Sequence, residues 1–197
     1  LTDELARRLD TEPNLRQTVF NEYGKFVTEL QGCFYAAEDV NLNVRDVEEI
    51  RRDTRFVTCI PTEKGGSGNP SHYTARGVVA GMESAVLYSS KMDGHKVDNE
   101  RPLFDKTIAV QGAGNVASFL VEELVKCGVK KVIVADISQE AINRLKSRYS
   151  ESVVECRAVS KNDNSILFDS VDILAPCALG RILIDNTIPH IKARIVC

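Results

Sequence analysis

The sequence predicts an α/β fold built on a doubly wound parallel sheet, preceded by part of a second α/β domain, and three observations carry that prediction. Residues 106–136 read as strand, glycine turn, helix, strand and terminal acid. Further helix and strand patterns follow to the end of the chain, the signature of parallel strands joined by crossovers. Ahead of them, residues 1–90 carry their own helices and apolar strands, and a polar stretch at 91–105 separates the two regions. The expected division is therefore a first domain at 1–90, a linker loop at 91–105 and a sheet domain at 106–197 that is incomplete at its C-terminus.

In the first region, Leu15, Val19, Phe20, Tyr23, Phe26, Val27 and Leu30 recur at helical spacing and Gly32 follows as a C-terminal stop. Cys33-Phe-Tyr-Ala-Ala37 reads as a buried strand ending at Glu38 and Asp39. Asn43 or Asn41 caps a short helix over 44–52, because either side chain can accept from first-turn amides. A strand over 55–60 runs into the turn-rich loop 61–70, and from Ser71 a long helix points Val78, Met82, Ala85 and Val86 inward. Beyond the linker come the paired strands of 106–136, a helix over 138–149 and a strand over 171–175 that ends in the loop Pro176-Cys-Ala-Leu-Gly180. Residues 194–197 read as the start of one more strand.

The segment 106–136 has the chemistry of a dinucleotide site and makes the sheet Rossmann-type. Gly112-Ala-Gly-Asn-Val-Ala117 is a GxGxxA turn directly after an apolar strand and directly before a helical pattern. Gly112 permits the tight turn, Gly114 lets a pyrophosphate approach the backbone, and Ala117 allows close packing of helix on strand. The unpaired amides and positive dipole end of the helix then hold the phosphates. Asp136 ends the next strand, about 20 residues on, where an acid accepts from the adenosine ribose hydroxyls. Its charge opposes a 2'-phosphate, so the expected cofactor is NAD rather than NADP.

Composition narrows the alternatives. With 197 residues and 43% hydrophobic content the chain can bury a core, and a net charge of -3 provides no basic footprint for nucleic acid or an anionic membrane surface. Cys33, Cys59, Cys127, Cys156, Cys177 and Cys197 form no CxxC pair and have no histidine at metal-ligand spacing, so the expectation is reduced, mostly buried thiols and no metal site. No apolar run has the length of a membrane span and Leu1-Thr-Asp-Glu-Leu-Ala-Arg-Arg is not a signal sequence, which together predict a cytoplasmic protein.

Other polar groups have two readings from pattern alone. Glu38-Asp39 supplies either a general acid or base or a helix-start acid on a solvated edge, and Gly65-Gly-Ser-Gly-Asn-Pro70 is either a ligand cradle or a change of chain direction. Lys64 reads as a solvated loop charge, Arg51, Arg52 and Arg55 as a charged face, and Arg76 as a surface residue.

Taken together, Ala36-Ala-Glu-Asp-Val40, Gly66-Ser-Gly-Asn-Pro-Ser71, Tyr73-Thr-Ala-Arg-Gly77, Val110-Gln-Gly-Ala-Gly-Asn-Val-Ala117 and Ala175-Pro-Cys-Ala-Leu-Gly180 resemble the leucine, valine and phenylalanine dehydrogenases of the glutamate dehydrogenase superfamily. The resemblance covers nearly the whole chain in family order. It implies NAD-dependent oxidative deamination of an apolar L-amino acid to a 2-oxo acid and ammonia. It further implies proton transfer at Asp39, a nicotinamide contact at Thr74 and a cleft shaped by Ser67 and Asn69. Gly112, Gly114, Asn115 and Val116 would then hold the pyrophosphate and Asp136 the ribose, with Cys177 and Ala178 lining the cofactor.

The family's lysine-bearing Gly-Gly-Gly-Lys segment and its Gly-x-Ala-Asn-Asn loop do not stand in these 197 residues, so the expectation is a chain truncated at both ends. Three readings stay open: an apolar amino-acid dehydrogenase acting on a small-molecule substrate as a homo-oligomer, a non-catalytic NAD-binding or interaction protein, and a glutamate dehydrogenase.

Overall fold

The computed structural model describes residues 3–39 and 42–197. They form two compact units, Leu1–Pro70 and Ser71–Cys197. The first contains α1 (Asp3–Thr11), α2 (Pro13–Glu29) and α3 (Val44–Asp53). The second contains α4 (Ser71–Asp93), β1 (Thr107–Gln111), α5 (Asn115–Lys126), β2 (Lys131–Asp136), α6 (Gln139–Arg148), β3 (Val154–Ala158), β4 (Ile173–Pro176) and β5 (Ile195–Val196).

In the first unit, α2 starts on Pro13, whose fixed φ suits the first helical turn, and the chain leaves the following turn through Gly32 at φ +89°. Asn43 caps α3 by accepting from Arg45 and Asp46, while Asp46 accepts back from the Asn43 amide. Asn41, the alternative cap, and Val40 lie outside the described residues. Arg16 of α2 grips the buried Asp46 of α3 through two hydrogen bonds of 2.7 Å, so one carboxylate both caps a helix and ties two helices together. Val27, Val47, Ile50, Ala36 and Val57 close the small core.

The buried strand expected over 33–37 is not present. Phe34 and Tyr35 are 46% and 57% exposed, and among the described residues an isolated parallel bridge from Ala36 to Val57 stands in place of both this strand and the one expected over 55–60. The positive φ values at Gln31, Gly32 and Cys59 turn the chain too often for a longer ladder.

The second unit is a five-stranded, fully parallel sheet in the order β3-β2-β1-β4-β5. Helices α4, α5 and α6 bury Ala75, Val79, Met82 and Val86, then Leu120 and Leu124, then Ile142 and Leu145, against Ile108, Val110, Val132 and Val134 on one face. The opposite face, with Ala109, Ile133, Ala135 and Leu174, is covered by the 3-10 turn Ser165–Phe168 together with Val159, Ile182, Ile191 and Ala193. The order reverses at β1, and the crevice lies at the carboxyl ends of the strands beside that switch point.

Four details depart from the sequence reading. β3 is an additional strand: Val154 and Cys156 face the helices while Glu155 and Arg157 form a charged ladder on the other side, with Lys131 and Asp169 as partners. The inward stripe of α4 is 75, 79, 82 and 86, leaving Val78 and Ala85 at its margin. The compact units part at Pro70, α4 packs with the sheet, and Leu103 from the polar stretch is fully buried in the sheet's core. The thiols are free, and only Cys59 and Cys156 are buried, correcting the expectation that most would be.

Candidate dinucleotide site

The glycine turn is fixed from both sides. On one flank the Gly112 N–H donates to Ala135 O at 2.7 Å and the Ala113 N–H donates to Asp136 Oδ2 at 2.6 Å. On the other, the Cys177 N–H donates to Gln111 O at 2.8 Å. Gly112 takes φ +98°, and a Cβ there would meet the Cys177 carbonyl oxygen at 2.9 Å, so glycine is required by conformation and by space. A Cβ on Gly114 would meet no atom within 4 Å, leaving open the approach a phosphate needs.

Helix α5 begins at Asn115 with Gly114 as its N-cap and no side-chain cap, so its first amides are not occupied by a side chain of the cap residue. Asn115 is exposed and Val116 half-buried there, while the fully buried Ala117 seats the helix on the sheet. The residues therefore fit a pyrophosphate: a turn that only glycine closes, clear space above Gly114, and a twelve-residue helix whose positive end faces out.

A cleft of about 330 Å³ crosses the carboxyl edge of the sheet, lined by Gln111, Gly112, Asp136, Ile137, the loop Val159 to Asn164, Ile166, Ala178 and Ile182. Asp136 is half-buried in its wall, accepting from Ala113 with one oxygen and from the Ser138 N–H at 2.6 Å with the other. A carboxylate has about four acceptor positions, so capacity remains for ribose hydroxyls. Asp136 thus locks the turn to β2 as well as standing in the cleft, a second task that its spacing from the turn did not reveal.

Cys177 packs behind Gly112 against the core, and burial, with a smaller contribution from Cys197, pushes its thiol up to about 11. It is a protonated packing group at neutral pH. A larger, shallower hollow of about 620 Å³ runs along Tyr88, Met92 and Arg194 but contains neither the turn nor the helix start. Among the described residues no group of three or more His, Cys, Asp or Glu converges as a metal site, and no helix is long and apolar enough to cross a membrane.

Of the expected site residues, Gly112, Asp136 and Ala178 meet in the cleft, with Gly114, Asn115 and Val116 at the adjoining helix start. Thr74 is exposed in the first turn of α4 in the same unit. Asp39, exposed, belongs to the first unit, where the neighbouring Glu38 is half-buried, its carboxyl raised by burial and its Oε2 without a partner among the described residues. Ser67 and Asn69 also belong to that unit; Ser67 Oγ accepts from the Cys59 N–H at 3.3 Å, and Gly66 packs so tightly on Ile60 that a Cβ would lie 2.1 Å from its carbonyl oxygen. Lys64 is paired with Glu48 at 2.6 Å.

Sequence reasoning missed Gln111, which stands immediately before the turn, and the loop after β3. Strand alternation was the available signal for the first: with Ile108 and Val110 facing the helices, Gln111 falls on the face of Ala109, toward the cleft.

The family model for Glutamate/Leucine/Phenylalanine/Valine dehydrogenase matches residues 65–197, which contain the whole of this site. The chain belongs to this family. Among its relatives, the leucine dehydrogenase of Geobacillus stearothermophilus is 38% identical over 187 residues, covering 95% of this chain and 47% of that protein. The amino-acid dehydrogenase fold is equally plain in solved structures. The L-tryptophan dehydrogenase of Nostoc punctiforme is 32% identical with a TM-score of 0.59, covering 92% of this chain and 46% of that one. The hetero-hexameric glutamate dehydrogenase of Thermus thermophilus, at 17% identity, shares the fold with a TM-score of 0.65, covering 94% of this chain and 46% of its own. The chain spans about half the length of the curated relatives it matches.

Proposed function

We propose that this chain is part of an NAD-dependent amino-acid dehydrogenase that converts an apolar L-amino acid to its 2-oxo acid and ammonia. The observation that carries the reading is the Gly112–Asp136 arrangement: a glycine-only turn, an open helix start and an acid in one cleft, within a family named for this reaction. Leucine, phenylalanine and valine dehydrogenases among the relatives support an apolar side chain over glutamate. The chemistry that a nicotinamide dinucleotide supplies is acceptance of a hydride from the amino acid's α carbon.

The chain's own residues have these tasks. Gly112, Gly114, Asn115 and Val116 bind the pyrophosphate through backbone amides. Asp136 accepts from the adenosine ribose and opposes a 2'-phosphate, which favours NAD over NADP. Ala178 lines the cofactor and Cys177 supports the turn from behind. Thr74 contacts the nicotinamide amide, Asp39 moves the proton, and Ser67 and Asn69 shape the substrate side. The enzyme is a cytoplasmic homo-oligomer, and residues 1–70 contribute to its substrate domain, while α4 and the stretch 91–105 belong with the nucleotide-binding sheet.

The test is NADH and NADPH binding by the purified chain, followed by NADH formation from NAD with leucine, valine, phenylalanine and glutamate. The chain is expected to bind NADH more tightly than NADPH, and the protein extended to the length of its relatives to turn over an apolar amino acid. Preference for NADPH would overturn the cofactor assignment, and preference for glutamate the substrate class. Nucleotide binding with no turnover by a protein extended to the length of its relatives would identify a non-catalytic NAD-binding protein.

A further inference from the structure

Gln111 holds a buried amide oxygen, Oε1, for which no hydrogen-bond partner exists among the described residues. Such atoms are rare because burying an acceptor without a donor is unfavourable, and each calls for a physical reason. The position supplies one. Gln111 ends β1, the strand at which the sheet order reverses, and is among the residues lining the cleft, with Gly112, Ile166 and Ile182. Its backbone is fully engaged, with Gln111 O accepting from Cys177, so the side chain is not needed to hold the strand.

Resting on the dinucleotide reading above, we propose that Gln111 is a further cofactor-binding residue whose Oε1 accepts a hydrogen bond from a ribose hydroxyl of the adenosine half. The donor follows from chemistry. Pyrophosphate oxygens only accept at neutral pH, whereas the ribose presents hydroxyl donors. Gln111 is in register with Ala135, the residue before Asp136, so the amide oxygen and the carboxylate stand at neighbouring strand ends as two acceptors for one diol. Binding gives the buried oxygen its partner.

The test compares wild type with Gln111→Met, which keeps the length and apolar stem while removing the acceptor. Binding of NADH, and of ADP with its 2'-deoxy and 3'-deoxy forms, is measured by calorimetry, and the melting temperature of the free protein by circular dichroism. The expected result is binding of NADH and ADP about 3- to 10-fold weaker in the variant, the size of one neutral hydrogen bond. That penalty should disappear for the deoxy form lacking the hydroxyl Gln111 receives. The free variant should melt no lower than wild type, since an unpaired acceptor has left a buried place.

An equal penalty for ADP and both deoxy forms would overturn the ribose contact, and unchanged affinity with a lowered melting temperature would make Gln111 a packing residue. If wild type binds NADH and the variant binds it equally well, Gln111 alone is wrongly assigned. If wild type binds neither NADH nor ADP, the dinucleotide reading falls and this proposal with it.

Discussion

At Gly112 and Gly114 the same residue type answers two different requirements. Gly112 is demanded by the fold, through its φ of +98° and the 2.9 Å approach of a Cβ to the Cys177 carbonyl; Gly114 sits in open space and is demanded only by what must come close to it. Gly112→Ala should therefore destabilise the protein by about 1–3 kcal/mol and weaken NADH binding. Gly114→Ala should leave the denaturation midpoint unchanged while weakening NADH binding, because its methyl occupies the phosphate's approach. Urea titration and NADH fluorescence on both variants check this, and a Gly114→Ala protein that binds normally would remove the phosphate from that position. The spacing of the GxGxxA turn made both glycines legible. It could not show that Asp136 holds the Ala113 amide, or that Gln111 is buried and unpaired, since both depend on how β1, β2 and β4 are brought side by side.

Among the elements, amphipathic helices and strands with apolar runs were legible: α3 is capped by Asn43, one of the two candidates, α6 lies within the stretch read as helix, and β1 and β2 stand where the sequence places them. β3 was not, because two of its five residues, Glu155 and Arg157, serve a charged ladder and only Val154 and Cys156 face the core. That ladder has a measurable consequence. Hydrogen bonds from Lys131 first, and Arg157 second, hold the Glu155 carboxyl below its ordinary value of 4.5. The folded state thus binds this proton less readily than the unfolded chain. The stabilisation is complete above the ordinary value and is lost as pH falls through the lowered one. Glu155→Gln should accordingly reduce stability at pH 7 and flatten the acid limb of a stability profile below about pH 4.5. Parallel acid limbs in the two proteins would show that the ladder contributes nothing.

On the scale of the whole molecule, the two compact units carry different parts of the reading. Every residue lining the nucleotide cleft lies in 71–197, whereas Asp39, Ser67 and Asn69 lie in 1–70. Residues 71–197 expressed alone should fold cooperatively and bind NADH with the affinity of the whole chain; a folded 71–197 that does not bind would place essential contacts in the first unit. The sequence division at 90 follows the composition shift into a polar stretch, but composition cannot report that Leu103 drops from that stretch into the core or that α4 packs against α5. Cys33 and Phe34 similarly carry the residue types of a strand without its burial.

The central position of β1 also determines the order of events during synthesis. It is the first strand of its sheet to leave the ribosome and pairs with β2 soon afterwards, yet its other edge waits for β4, and the Thr107 amide waits for Asp172, 65 positions later. Until then Ile108, Ala109 and Val110, all fully buried in the finished protein, line an open apolar edge on the nascent chain. Parallel pairing across that separation is slow. The expected consequence is that limiting holding chaperones during expression lowers the soluble yield of this protein while the melting temperature of what is recovered stays the same.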